Sequence, residues 1–153
     1  MPQIADQAPD FTLPRDGGGE VTLSALRPGA VVLFFYPRDD TSGCTKEAIA
    51  FTGLAGDFEA LGVTVLGISK DSIAKHDKFR DKHDLGVALL SDEAGDVCEQ
   101  YGVWKEKSMY GRKFFGIERS TFLIDGEGKI ARIWPKVKVP GHAEEVLEAA
   151  RAL

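Results

Sequence analysis

The chain has 153 residues, a net charge of −5, and apolar and charged fractions of 43% and 28%. That length suits one domain, expected over residues 1–153, which needs no covalent staples to build a core. Mixed charges and no basic block argue against a nucleic-acid partner, and no apolar run approaches a membrane span. The start, MPQIADQAPDF, lacks the basic and apolar regions of a secretory leader, so the expected address is the cytoplasm.

Residues 11–13 and 20–23 flank a polar segment and predict a small hairpin, with Asp16-Gly17-Gly18-Gly19 as turn material. These glycines do not read as a phosphate loop, because no lysine follows at the required spacing and no helix opens there. Residues 30–36 (AVVLFFY) form a continuous apolar run of strand length, the pattern of a central strand covered on both faces. Ala48, Phe51, Ala55, Phe58 and Leu61 recur at helical spacing and predict one amphipathic helix over 44–61, ended by Gly62. Residues 63–69 (VTVLGIS) read as a second buried strand. Asp71 or Ser72 caps a helix running to about His83, 87–90 is a short strand, and 94–101 is a short helix closed by Gly102.

The stretch 104–118 (WKEKSMYGRKFFGIE) mixes bases and aromatics. It reads as a loop that rims a pocket, contacts a reductant, or tucks aromatics into the core. Residues 121–125 and 129–134 predict two strands joined across Gly126-Glu127-Gly128, and 142–152 a last helix. Strands alternating with helices, followed by a hairpin and a helix, predict an α/β domain with a mixed sheet and helices on both faces.

Two cysteines, Cys44 and Cys98, are too few for a secreted disulfide scaffold. In a reducing compartment each is either a small buried hydrophobe or a reactive thiol. Cys44 follows the carboxyl end of a predicted central strand, where open α/β sheets bind ligands. It also stands in the first turn of a predicted helix, where unpaired N–H groups and the dipole favour an anion. Thiols react as thiolates, so this setting suits a nucleophile better than a filler.

Residues 37–44 (PRDDTSGC) fit the pattern Pro-x-x-x-Thr-x-x-Cys and resemble the peroxiredoxins. APDF (8–11) is similar to that family's N-terminal signature. FYP (35–37), GCTKE (43–47), LSD (90–92), YGVW (101–104), MYG (109–111) and RSTFLID (119–125) resemble its bacterioferritin-comigratory-protein, or peroxiredoxin Q, group. The resemblance covers nearly the whole chain. It implies a thioredoxin-like fold with a central mixed sheet flanked by helices and an N-terminal hairpin. It also implies an antioxidant thiol-dependent peroxidase that reduces hydrogen peroxide and organic hydroperoxides without a cofactor or metal.

By the same resemblance Cys44 is the peroxidatic cysteine, which attacks a peroxide oxygen and becomes a sulfenic acid. Thr41 hydrogen-bonds the peroxide and thiolate, Pro37 walls the pocket, Gly43 lines the substrate site, and Arg119 holds the thiolate and the developing charge. An arginine suits that task because it stays charged and presents several donors. Singly, each residue has a plainer reading: Pro37 ends a strand, Thr41 caps a helix, Arg119 is a surface charge. Glu47 either orients Arg119 or completes a capping box with Cys44 in the serine position.

Relatives in this group carry a resolving cysteine five residues after the peroxidatic one or on the next helix. Ile49 and Arg80 stand at those places here, and Ser42 replaces the group's usual proline, leaving φ free. Cys98 falls at i, i+4, i+7 spacing with Ala94 and Tyr101, the pattern of a core stripe. A one-cysteine mechanism is therefore expected, with thioredoxin, glutaredoxin with glutathione, or another thiol as partner, and a monomer or else a dimer as the working state. Two alternatives stay open: Cys98 as a possible resolving thiol, or a non-enzymatic redox sensor built on Cys44. A thiol–disulfide oxidoreductase is disfavoured, since Thr41 stands where the first cysteine of Cys-x-x-Cys belongs. His76 and His83, seven apart among lysines and aspartates, read as a solvated helix face and not as metal ligands.

Overall fold

Val31, Val32, Leu33, Phe34 and Phe35 are all buried, so the apolar run has protein on both of its faces. The computed structural model describes residues 2–153; Met1, at the edge of the expected domain, lies outside them. In chain order the strands are β1 (Thr12–Pro14), β2 (Glu20–Thr22), β3 (Ala30–Phe35), β4 (Val63–Ser69), β5 (Ala88–Ser91), β6 (Trp104–Met109), β7 (Arg112–Ile117), β8 (Ser120–Ile124) and β9 (Ile130–Trp134). The helices are α1 (Ser42–Gly53), α2 (Ala55–Ala60), α3 (Ile73–His83), α4 (Val97–Gln100) and α5 (His142–Arg151), with a 3₁₀ turn at Leu23–Leu26.

The main sheet has the order β5-β4-β3-β8-β9. β3, β4 and β5 run parallel, while β8 and β9 add antiparallel on the other side. Parallel neighbours need crossovers, which α1, α2 and α3 supply. Side chains alternate along β3 and divide the core in two. Val32, Phe34 and Tyr36 face Cys44, Phe51, Phe58, Phe79 and Val146, under α1, α2, α3 and α5. Val31, Leu33 and Phe35 face Phe11, Leu13, Cys98 and Tyr101, under the β1–β2 hairpin and α4.

The single helix expected over 44–61 is broken at Leu54, whose backbone (φ −104°, ψ 5°) ends α1. Gly53 and Gly56 flank the break, and glycine is the weakest helix former after proline. Leu61 lies beyond α2 and is exposed. The stretch 104–118 is not a loop. β6 and β7 form a separate hairpin, turning at Tyr110 and Gly111, both at positive φ. Ala94 lies outside α4 and is exposed, so the buried stripe on that helix is Val97, Cys98 and Tyr101. His76 is fully buried, against the solvated face expected for it.

Candidate active site

The chain leaves β3 through Tyr36, turns at Pro37 and enters α1 at Ser42. Thr41 is the N-cap residue by backbone (φ −89°, ψ 156°), but its hydroxyl does not cap; it donates to the Arg38 carbonyl at 3.0 Å. Cys44 is the third residue of α1, within its first turn, and is 1% exposed. Arg119 sits on the short link between β7 and β8, next to the central strand, which carries its side chain to the same spot.

Arg119 connects two groups. Its Nη2 donates to Cys44 Sγ at 3.3 Å, and its Nη1 donates to Glu47 Oε1 at 2.7 Å. Glu47 lies one helical turn after Cys44 and is buried, and its Oε2 has no hydrogen-bond partner among the described residues. Burial pushes the Glu47 carboxyl up to about 7, against the opposing pull of Arg119. Burial works against the Arg119 charge, but Glu47 and Cys44 outweigh it and hold the guanidinium above its ordinary value. Gly43 provides the space: a Cβ there would lie 3.1 Å from Arg119 Nη2.

A second network fixes the loop before α1. Tyr36 donates to Asp39 Oδ1 at 2.6 Å, and His76 Nδ1 lies 2.6 Å from Asp39 Oδ2. His76 Nε2 is 2.8 Å from the Leu90 carbonyl, which can only accept, so that nitrogen carries a proton. The Asp39 N–H and the Ser69 hydroxyl both donate to Asp71 Oδ2, at 2.7 and 2.9 Å. Asp40, at φ 59°, pairs with Lys82 at 2.7 Å and His83 at 2.9 Å on α3. Behind the site, Thr121 Oγ1 and His142 Nε2 are paired at 2.8 Å. Burial lowers the His142 value to about 4; Glu145 opposes the shift and the Arg119 charge adds to it.

The structure thus brings together Cys44, Gly43 and Arg119. Pro37 and Thr41 are exposed on the loop leading into them. Glu47 is a partner of Arg119 and not a capping residue. Its signal was the one-turn spacing from Cys44. Asp39, His76 and His142 were missed, because their partners lie 37 residues away or on another element.

Cys98 is elsewhere. It is fully buried and belongs to the core on the opposite face of the sheet from Cys44. Its N–H donates to Asp92 Oδ2 at 2.8 Å, and Lys70 Nζ lies 3.5 Å from the same oxygen. Burial, then Asp92, pushes the Cys98 thiol well above its ordinary value. Among the described residues no group of three or more His, Cys, Asp or Glu could hold a metal ion, and no helix is long and apolar enough to cross a membrane.

Residues 4–133 match the AhpC/TSA family. The chain is 52% identical over 145 residues to the bcp protein of Coxiella burnetii, covering 95% of this chain and 96% of that one. It is 44% identical to peroxiredoxin Bcp of Bacillus subtilis, covering 97% and 95%. Among solved structures, the bacterioferritin comigratory protein of Xanthomonas campestris, studied for alkyl peroxide reduction, superposes with a TM-score of 0.91 at 41% identity, covering 99% and 97%. The fold expectation of a mixed sheet between helices, with an N-terminal hairpin, is met, and these structures are thioredoxin-like.

Proposed function

The chain belongs to the AhpC/TSA family, as a peroxiredoxin of the bacterioferritin-comigratory-protein group and a thiol-dependent peroxidase; on that premise we propose that Cys44 is the peroxidatic nucleophile of a one-cysteine mechanism. The observation that carries this reading is the 3.3 Å contact from Arg119 Nη2 to Cys44 Sγ at the start of α1. A fixed guanidinium and the helix N-terminus both favour an anion on that sulfur.

Hydrogen peroxide and organic hydroperoxides are the substrates. The thiolate attacks the terminal hydroxyl oxygen of ROOH, an S–O bond forms and the O–O bond breaks. Cys44 becomes a sulfenic acid, and the alkoxide leaves to take a proton from solvent, giving ROH or water. Arg119 stabilises the charge that spreads from sulfur to the leaving oxygen. Gly43 leaves room for that guanidinium, Thr41 presents its hydroxyl oxygen to the peroxide, and Pro37 walls the entrance.

Resolution comes from outside the chain. Ile49 and Arg80 supply no thiol, and the sheet separates Cys98 from Cys44. Thioredoxin, glutaredoxin with glutathione, or another thiol then attacks the sulfenic acid. This chemistry needs a thiol supply, which fits a cytoplasmic setting for one domain over 1–153, working as a monomer. Non-reducing mass spectrometry after one equivalent of peroxide tests the mechanism. Gain of one oxygen on Cys44 is expected; rapid, quantitative loss of two hydrogens with a Cys44–Cys98 disulfide overturns it.

A further inference from the structure

A cleft of about 240 Å³ lies between residues 38–40, which lead into α1, and the adjoining face of α3. Its floor is Phe79, whose ring packs against Tyr36 with centroids 6.3 Å apart, in the same core cluster as Cys44. Arg38, Lys75, Lys78 and Lys82 line it. The acids that also line it are already engaged. Asp39 is held by Tyr36 and His76, Asp71 by the Asp39 N–H and Ser69, and Asp40 by Lys82 and His83. Lys75 reaches Asp71 only at 4.0 Å, and Arg38 and Lys78 make no ion pair among the described residues. A chain of net charge −5 thus presents two unpaired cations over an apolar floor, Arg38 on the loop that ends four residues before Cys44 and Lys78 on α3, with Lys75 only loosely paired beside them.

We infer that this cleft docks the external reductant, and that the reductant is a small peptide thiol carrying two or more carboxylates. The inference rests on the one-cysteine reading above and names the class of thiol that serves it. The volume lies just below the usual range for drug-sized ligands, which suits a small molecule. Cations lining a cleft raise the local concentration of an anion and its association rate about 10- to 1,000-fold, and salt screens the effect. The bound thiolate attacks the Cys44 sulfenic sulfur; an S–S bond forms, the S–O bond breaks and the hydroxide leaves as water after taking a proton. A second thiolate attacks the outer sulfur of the mixed disulfide, releasing the Cys44 thiolate and the oxidised small disulfide. Two thiols are oxidised for each peroxide reduced.

The test isolates the second half of the cycle. Protein treated with one equivalent of peroxide is first confirmed by mass to carry the sulfenic acid. Its loss is then followed by stopped flow with glutathione (two carboxylates), 2-mercaptoethanol (neutral) and cysteamine (cationic), each rate expressed per thiolate. At low ionic strength glutathione should resolve it at least about tenfold faster than 2-mercaptoethanol, and cysteamine slowest. The ratio should fall toward one at about 0.5 M salt. It should fall equally in a Lys75→Glu, Lys78→Glu double variant and persist in Lys129→Glu, the same reversal far from the cleft. Equal rates for the three thiols, a ratio indifferent to salt or to the double variant, or resolution by a protein reductant alone would overturn the docking site. Absence of the sulfenic acid at the first step overturns the one-cysteine reading, and the docking proposal with it.

Discussion

Cys44 and Cys98 sit on opposite faces of one sheet, each near the start of a helix and each almost wholly buried, at 1% and 0% exposed. What differs is the charge presented to each. A guanidinium N–H points at the Cys44 sulfur, and Gly43 leaves room for it. At Cys98 the nearest charge is the Asp92 carboxylate, bound to the backbone N–H of Val97 and Cys98, with Lys70 beyond it. Equal depth therefore leaves the two thiols in different electrostatic settings, set by the sign and aim of their neighbours. At Cys98 the Asp92 anion and burial act together against a thiolate.

The sharpest way to break this comparison is to remove each sulfur in turn. Cys44→Ser should lower peroxide consumption at least about a thousandfold, since a hydroxyl replaces the nucleophile. Cys98→Ser should leave turnover with a small thiol within about twofold and cost about 1–2 kcal/mol of stability, because it exchanges a buried thiol for a more strongly hydrated hydroxyl. A peroxide-consumption assay and urea denaturation check the pair. Comparable losses of turnover in both variants would mean the two thiols work together.

The next step removes the charge at Cys44 and keeps the sulfur. Arg119→Ala should lower kcat/KM for peroxide about 100- to 1,000-fold, the usual loss when a donor aimed at developing charge is deleted. Arg119→Lys should recover only part, because the donors of an ammonium share one nitrogen and cannot copy the fork that reaches Glu47 from Nη1 and Cys44 from Nη2. An Arg119→Ala enzyme within threefold of wild type would remove Arg119 from the site. The corresponding change on the other face is Asp92→Asn. It should cost about 1–3 kcal/mol, for a weakened buried acceptor at the start of α4, and leave turnover within twofold.

Much of this was legible in the sequence. The runs at 30–36 and 63–69 are strands whose side chains, apart from Ala30 and Thr64 at their starts, are all buried, and such runs need no period to be read. The setting of Cys44 was legible because strand end, proline, short loop and helix start are adjacent in the chain. The β6–β7 hairpin was not, because Lys105, Glu106, Met109, Phe114 and Phe115 put exposed side chains on both of its faces and erase the alternation a half-buried strand would show. His76 was not legible either. Its neighbours Lys75 and Lys78 are exposed, and the partner that explains its burial, Asp39, lies 37 residues back. His142 reaches the Arg119 side only through the packing of α5, which no local pattern encodes.

The smallest expected effect is one the wild-type protein should hide. All three histidines lie on α3 and α5, the helices on the Cys44 side of the sheet, together with Glu47. His142 is lowered from 6.5 to about 4 by burial, so between those values the unfolded chain holds the extra proton and stability rises with pH. Glu47 is raised from 4.5 to about 7 by burial, so between those values the folded chain holds the extra proton and stability falls with pH. The two windows overlap from 4.5 to 6.5, where the slopes oppose each other and the wild-type stability curve should be nearly flat. Above 6.5 the Glu47 fall continues to about 7, and His76 adds to it. Burial opposes its charge, but Asp39 outweighs burial and raises its value, so its contribution is complete below 6.5 and is lost as pH rises through the folded value. Glu47→Gln keeps an oxygen to accept from Arg119 and removes the titration. It should unmask a rise in stability from pH 4.5 to 6.5, approaching about 1.4 kcal/mol per pH unit at most. His142→Gln should unmask a fall over the same range. Urea denaturation at half-unit intervals of pH reads both slopes. Parallel curves for wild type and Glu47→Gln would show that Glu47 keeps an ordinary carboxylate value in the fold and that Arg119, not burial, governs its charge.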